Sequence, residues 1–164
     1  MKIRFCTFND LDTVNAIYNY EIENGVATFD TSVRSKDKAV SWYESHNRLN
    51  HPIFVATDDS NKVFGYCSLS QYRDKDAFET TVEISVYVAL NARGRGIGRK
   101  LCCYVIDYAK KRNDIKNIIS VITSSNVKSL NLFNSLNFEN GGTIPAVGIK
   151  FGKQLGITSL YRLV

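Results

Sequence analysis

The apolar positions change period several times along the chain, and each change marks an element boundary. Ile3 to Phe5 alternates like a short strand, and Asn9 or Asp10 then offers a cap for a helix that carries Leu11, Val14, Ile17 and Tyr18 on one face. That helix should fade near Asn24-Gly25, and a second should start after Ser35 and include Ala39, Trp42 and Tyr43. Ile53 to Ala56 and Val63 to Cys67 flank the polar turn Asp58-Asp59-Ser60-Asn61, which predicts a hairpin. After a charged loop, Gln71 to Glu79, strict alternation returns over Thr81 to Val88. Val82, Ile84, Val86 and Val88 point one way, and Thr81, Glu83, Ser85 and Tyr87 the other. A helix follows with Ile97, Leu101, Val105 and Tyr108 at helical spacing, then a short buried strand over Ile118 to Ile122. Asn126 to Leu136 reads as a further helix, closed by Asn137 in a left-handed position. Two strand-like pieces, near Ile144 to Ile149 and Ser159 to Val164, end the chain on either side of Phe151-Gly152-Lys153. The pattern predicts an α/β (α+β) domain with strands of mixed direction.

Composition narrows the class. At 164 residues the chain suits one domain, residues 1–164, and it is long enough to fold on its own core. With 2 Pro and 10 Gly it does not read as disordered, and no apolar run approaches a membrane span. The N-terminus lacks the apolar stretch of a signal peptide, so a cytoplasmic protein is expected. Cys6, Cys67, Cys102 and Cys103 form no C-x-x-C pair, and His46 and His51 have no ligand spacing to them, so neither disulfides nor a metal site is expected. The net charge of +5 is a mild excess that fits an anionic ligand.

The candidate chemistry lies where the best strand meets the best helix, from Val86 to Arg99. Gly94, Gly96 and Gly98 remove Cβ atoms where a ligand would approach the backbone. The helix that follows offers unpaired N–H groups and a positive dipole end, which together make a phosphate site. Arg93, Arg95 and Arg99 add charge around it. A dinucleotide fingerprint fits badly, because the spacing is G-x-G-x-G and no acid lies at Lys116 to Ser120. A P-loop fits badly too, because Gly98 is followed by Arg99-Lys100-Leu101. A nucleic-acid patch over Arg93 to Lys100 is a rival reading, and it predicts affinity that falls steeply with salt. The third phosphate pattern, Arg-x-x-Gly-x-Gly, is met by Arg93, Gly96 and Gly98. It is the pyrophosphate signature of the GNAT acyltransferases.

The likeness extends over nearly the whole chain. Ile17-Tyr18-Asn19, Gly65-Tyr66, Tyr72-Arg73, Thr81-Val82-Glu83, Val86-Tyr87-Val88, Asn126, Ser129, Leu136-Asn137-Phe138 and Lys150-Phe151-Gly152 accompany the glycine motif. The sequence thereby resembles the phosphinothricin and methionine-sulfoximine N-acetyltransferases of the GNAT superfamily. The resemblance implies a GNAT fold, with a mostly antiparallel mixed sheet flanked by about four helices. It implies transfer of acetyl from acetyl-CoA, as cosubstrate and without a metal, to the amine of a small amino-acid-like acceptor by direct attack in a ternary complex. The partner is then a small molecule rather than nucleic acid or membrane, and a homodimer is expected by analogy.

The resemblance also assigns residues. Val86, Tyr87 and Val88 would pair with the pantetheine arm, Gly94, Arg95, Gly96, Ile97, Gly98 and Arg99 with Arg93 would hold the pyrophosphate, and Asn126 and Ser129 would reach the cofactor from the next helix. Glu83 would take the proton that keeps an amine from being nucleophilic. Arg73, Lys75 and Phe78 in the charged loop, with Phe29 in the Thr28-Phe29-Asp30 turn, would contact the acceptor. Lys150-Phe151-Gly152 would close the other side of the pocket. Two departures stand out: Phe133 occupies a position where His or Tyr is frequent, and Gln154 and Gly156 stand where Trp and Asp are usual. The first removes a side-chain acid for the thiolate, which then either leaves without one or is served by Ser129 or water. Other acceptors (a polyamine, a peptide N-terminus, a lysine) and a catalytically silent acyl-CoA sensor are the alternative readings.

Overall fold

A computed structural model describes all 164 residues. Its centre is a seven-stranded sheet in the order β1-β2-β3-β4-β5-β7-β6. The strands are β1 (Lys2–Phe5), β2 (Ile53–Thr57), β3 (Val63–Gln71), β4 (Thr81–Val88), β5 (Asn117–Thr123), β6 (Glu139–Lys150) and β7 (Lys153–Leu163). The helices are α1 (Leu11–Asn24), α2 (Lys36–Glu44), α3 (Ile97–Lys110) and α4 (Val127–Asn134). Every pairing is antiparallel except β4 with β5.

The two faces of the sheet bury different helices, as the alternation of β4 requires. Val82 and Ile84 pack with Leu101, Val105 and Ala109 of α3 and Phe133 of α4. On the other face Val14 and Ile17 of α1 pack with Val55, Val63 and Tyr66, and Trp42 and Tyr43 of α2 close over them. Leu101 is fully buried, so Leu101→Ala would cost about 2–5 kcal/mol. The four cysteines are free, and three of them are buried as small apolar residues.

Helix ends follow the sequence with local adjustments. Ser35 caps α2 by accepting the Lys38 N–H. Asn126 caps α4 through the Ser129 N–H and so stands just outside the helix rather than in it. Asp10 does not cap α1. Its carboxylate turns back to the Arg4 guanidinium at 2.7 and 2.9 Å and to the Thr7 N–H and hydroxyl. Burial alone would push Asp10 up, but these bonds outweigh it and hold the group below its ordinary value.

The last two strands are longer than the hydrophobic pattern predicts. β6 is an exposed edge whose register against β7 shifts between Asn140 and Gly142 and between Ile144 and Gly148. Such bulges break the period of two. The second bulge explains Gly156: a Cβ there would lie 2.8 Å from the Ile144 carbonyl oxygen.

Candidate active site

The parallel pairing of β4 with β5 covers only Thr81–Glu83 against Asn117–Ile119. Beyond it the strands diverge, and β4 from Ile84 to Val88 has a strand neighbour on the β3 side alone. An unpaired edge therefore opens in the middle of the sheet. Val26 and Ala27, just after α1, cross this opening, their carbonyls accepting from the Thr123 hydroxyl of β5 and the Tyr87 hydroxyl of β4. Three adjoining cavities follow the divergence, and Ala27 and Tyr87 line all three.

The first, about 500 Å³, lies over the glycine turn. Gly94 and Gly96 have φ of 75° and 74°, a left-handed backbone that a Cβ would strain. No side chain caps α3, so the N–H groups of its first turn face this cavity without a competing acceptor. Val86, Tyr87, Val88, Arg93, Gly94, Gly96, Ile97, Gly98, Arg99, Asn126 and Ser129 all line it. Arg95 does not; its guanidinium rests over the Phe64 ring. Arg93 is already engaged, with Nε donating to the Val88 carbonyl at 3.1 Å and Nη2 paired with Glu21 of α1. It ties β4 to α1 beside the turn. Lys128 and Arg99 supply the further cations, and Lys128 was not signalled by any motif. A dipole end, a Cβ-free turn and two cations suit a pyrophosphate, and the open β4 edge suits an extended, amide-bearing arm.

The second cavity, about 370 Å³, lies on the α1–α2 face. Glu83, Ser85 and Tyr87 of β4 line it with Tyr66, Ser68 and Ser70 of β3, directly opposite them in register. Tyr18, Thr28, Phe29, Asp30, Arg34 and Trp42 form the facing wall, and Ala27, Val121 and Thr123 line the side toward β5. The Glu83 carboxylate makes no hydrogen bond or ion pair with the protein. Burial pushes its carboxyl above the ordinary value, partly offset by the Arg73 charge. Ser70 is held by His46 of the turn after α2, whose Nε2 lies 2.9 Å from Ser70 Oγ. His46 Nδ1 is 2.6 Å from the Trp42 carbonyl, which can only accept. Nδ1 therefore carries a proton, and in the neutral ring Nε2 accepts the Ser70 hydroxyl. Burial lowers the His46 value and favours that neutral ring.

The third cavity, about 60 Å³, is the neck between the other two. Asn126, Ser129 and Phe133 line it with Ser85, Val86 and Tyr87. Phe133 is buried against Phe138 at 5.0 Å between ring centroids, a packing role. The structure thus brings Glu83, the β4 edge, the glycine turn and α4 to one channel.

The acceptor-side residues divide. Phe29 lines the cavity, and its ring packs so closely on Gly148 that a Cβ there would lie 2.7 Å from it. Arg73, Lys75 and Phe78 sit in the loop between β3 and β4, outside the cavity lining, with Arg73 over the Tyr72 ring. Lys150 is buried and donates to the carbonyls of Glu21 and Thr28 at 3.0 and 2.8 Å, which fixes the wall that carries Phe29. Tyr18 belongs to the Ile17-Tyr18-Asn19 likeness, which gave it no site role, and Arg34, Trp42, Ser68, Ser70 and His46 carry no motif; they come from separated stretches. No three metal-ligating side chains converge anywhere in the chain, and no helix is long and apolar enough to cross a membrane.

Comparison with known proteins agrees with this geometry. The family described as acetyltransferase (GNAT) domain matches residues 3–155. An L-methionine sulfoximine/L-methionine sulfone acetyltransferase of Salmonella typhimurium is 35% identical over 159 residues, covering 96% of this chain and 91% of that protein. The crystal structure of a ribosomal-protein-alanine N-acetyltransferase from Brucella melitensis superposes with a TM-score of 0.94 at 36% identity, covering 100% of both chains. A phosphinothricin acetyltransferase from Sinorhizobium meliloti, solved with acetyl-CoA, gives a TM-score of 0.94 at 29% identity, over 99% of this chain and 88% of that one.

Proposed function

The chain belongs to the GNAT acetyltransferase family and is an acetyl-CoA-dependent N-acetyltransferase, and from that premise we propose that its acceptor is a small amino-acid-like amine of the methionine sulfoximine or phosphinothricin kind. The observation that carries this reading is the continuity of the three cavities. The thioester arm enters along the β4 edge, the amine enters from the Glu83 side, and the two meet at the neck beside Tyr87. A cavity of about 370 Å³ suits an amino acid better than a folded protein surface.

In the reaction the acceptor nitrogen attacks the thioester carbonyl in a ternary complex; the C–N bond forms and the C–S bond breaks. Glu83 removes the ammonium proton, directly or through water, and its raised value makes it a better base than an exposed carboxylate. A backbone N–H near Val88 polarises the carbonyl. Gly94, Gly96, Gly98, Arg99 and Lys128 hold the pyrophosphate, and Asn126 and Ser129 border the arm. The nitrogen sheds its second proton as the adduct collapses; Phe133 donates none, so the thiolate leaves unassisted and takes up that proton afterwards, or receives it through Ser129 or water.

This reading takes residues 1–164 as one catalytic domain working in the cytoplasm, where acetyl-CoA is made available. It also takes the enzyme as a homodimer, because edge strand β6 exposes Ile144, Val147 and Ile149 beside Phe151. Light scattering after gel filtration checks the dimer. The acceptor is tested by free-thiol release from acetyl-CoA with methionine sulfoximine, methionine sulfone, phosphinothricin, polyamines and an alanine-terminated peptide. Turnover confined to the amino acid analogues is expected. Turnover of the peptide or polyamines alone would overturn the acceptor assignment.

A further inference from the structure

One cation lines the acceptor cavity, and it is not in the loop where the family likeness places the substrate contacts. Arg34 lies between α1 and α2, next to the α2 cap. Two asparagines one turn apart on α1 lock it in place. Its N–H donates to Asn19 Oδ1 at 2.8 Å, and its Nε donates to Asn15 Oδ1 at 2.8 Å. Its carbonyl accepts from the side-chain amides of Asn15 and Asn19, each at 3.1 Å. The guanidinium carbon then sits 4.5 Å from the ring centroids of both Tyr18 and Trp42.

The end of this fork is nevertheless unpaired. Nη2 is buried and has no hydrogen-bond partner, and Arg34 takes part in no ion pair. Arg4, Arg93 and Arg112, by contrast, each have a carboxylate of their own. A guanidinium cannot shed its charge at any working pH, so one that lines a cavity with no carboxylate of its own suits an anionic ligand. The cavity holds two carboxylates besides. Asp30 accepts the Tyr18 hydroxyl at 2.8 Å, and Glu83 stands on β4. A lining with one fixed guanidinium and two acids complements a zwitterion, whose carboxylate meets a planar fork and whose ammonium faces a base.

We propose that Arg34 binds the carboxylate of the acceptor and sets the preference for α-amino acids over amines that lack this group. The inference rests on the amino-acid reading above. It assigns to Arg34 the task that sequence likeness would give to Arg73, which lies outside the cavity lining.

The test compares methionine sulfone with its carboxamide in the wild type, Arg34→Gln and Arg34→Lys. The readout is the ratio of kcat/KM for acid over amide. The wild-type ratio should be large, and Arg34→Gln should reduce it roughly ten- to hundred-fold, the worth of a charged hydrogen-bond pair. Arg34→Lys keeps the charge without the fork and should retain part of the ratio; it also carries the test if Arg34→Gln fails to fold. A wild-type ratio near one, or a ratio unchanged in both variants, overturns the inference. If neither compound releases thiol in the wild type, the acceptor assignment itself has failed. Arg34 is then judged by binding, as the rise in melting temperature that methionine sulfone gives the CoA-loaded protein. A rise lost in the variants upholds the carboxylate site, and no rise, or an equal rise, overturns it.

Discussion

Replacing Glu83 with Gln keeps the shape of the side chain and removes its proton affinity. The remaining polar groups of β3 and β4 on that cavity wall are Ser68, Ser70, Ser85 and two tyrosines, none a base near neutrality. Tyr87 and Tyr66 are pushed further up by burial, so they do not substitute. A positioned base is worth about 10²–10⁴-fold in rate, or about 3–5 kcal/mol of barrier. Glu83→Gln should lose that much in kcat/KM at pH 7, and the pH profile should change shape. In the wild type, kcat/KM for the acceptor should fall on the acid side through a value above 4.5, because burial raises the Glu83 carboxyl, and should be flat from there to the amine's own pKa. The variant has to wait for neutral amine, so its kcat/KM should climb about tenfold per pH unit across the same range. Stability should move the other way. A carboxyl whose folded value is raised weakens the fold as pH climbs through its unfolded value, and the penalty is complete above the folded value. Glu83→Gln should therefore raise the melting temperature at pH 7 and leave it unchanged at pH 3. Thiol-release assays over pH 5–9 and thermal melts at both pH values measure the two signs. A variant that keeps the acid limb, or loses less than about tenfold in rate, would refute Glu83 as the base.

Three further outcomes are expected. Gly96→Ala forces a Cβ onto a left-handed residue at the α3 terminus, so KM for acetyl-CoA should rise several-fold with the acceptor KM much less affected, as steady-state kinetics with each substrate varied will show. Gly148→Val drives a side chain into the Phe29 ring, so acceptor KM should rise while CoA binding, measured by calorimetry, persists. Asp10→Asn should cost about 2–3 kcal/mol at pH 7 in urea melts. Because the folded Asp10 value is lowered, its contribution is complete above the unfolded value of about 3.8 and is lost as pH falls through the folded one, so the wild-type advantage should shrink below that range.

Legibility followed the range of the interactions. β4 was readable end to end because one strand buried on one face imposes strict alternation over Thr81–Val88. The turn at Gly94 and Gly96 was readable because the left-handed backbone restricts residue choice locally. The cofactor cavity is built largely from that one continuous stretch. The acceptor cavity is not: Tyr18, Arg34, Trp42 and Ser70 meet only after α1 and α2 pack on the sheet. Arg34 looks like any surface arginine in the sequence, and its fixation depends on Asn15 and Asn19, whose pairing with a residue 15 to 19 positions on has no local signature. Arg73 and Lys75 were singled out by the family likeness, and the structure places both in the loop between β3 and β4, outside the cavity lining. The length of β6 was hidden because a bulged, exposed edge has no periodic burial to display.

The divergence of β4 from β5 leaves backbone amides without sheet partners in the middle of the fold, where most proteins allow them only at the rim. A free edge at the rim invites another chain to pair and aggregate. Here α3, α4 and the Val26–Ala27 crossing confine the gap, so that it suits a single thin arm. In the proposed binding mode, ligation completes the sheet as well as loading a substrate. A ligand that binds only the folded chain adds about 2.7 kcal/mol at a hundred times its dissociation constant. The enzyme's lifetime against unfolding and proteolysis should accordingly track the supply of CoA thioesters around it, making protein abundance a slow record of acetyl-group availability.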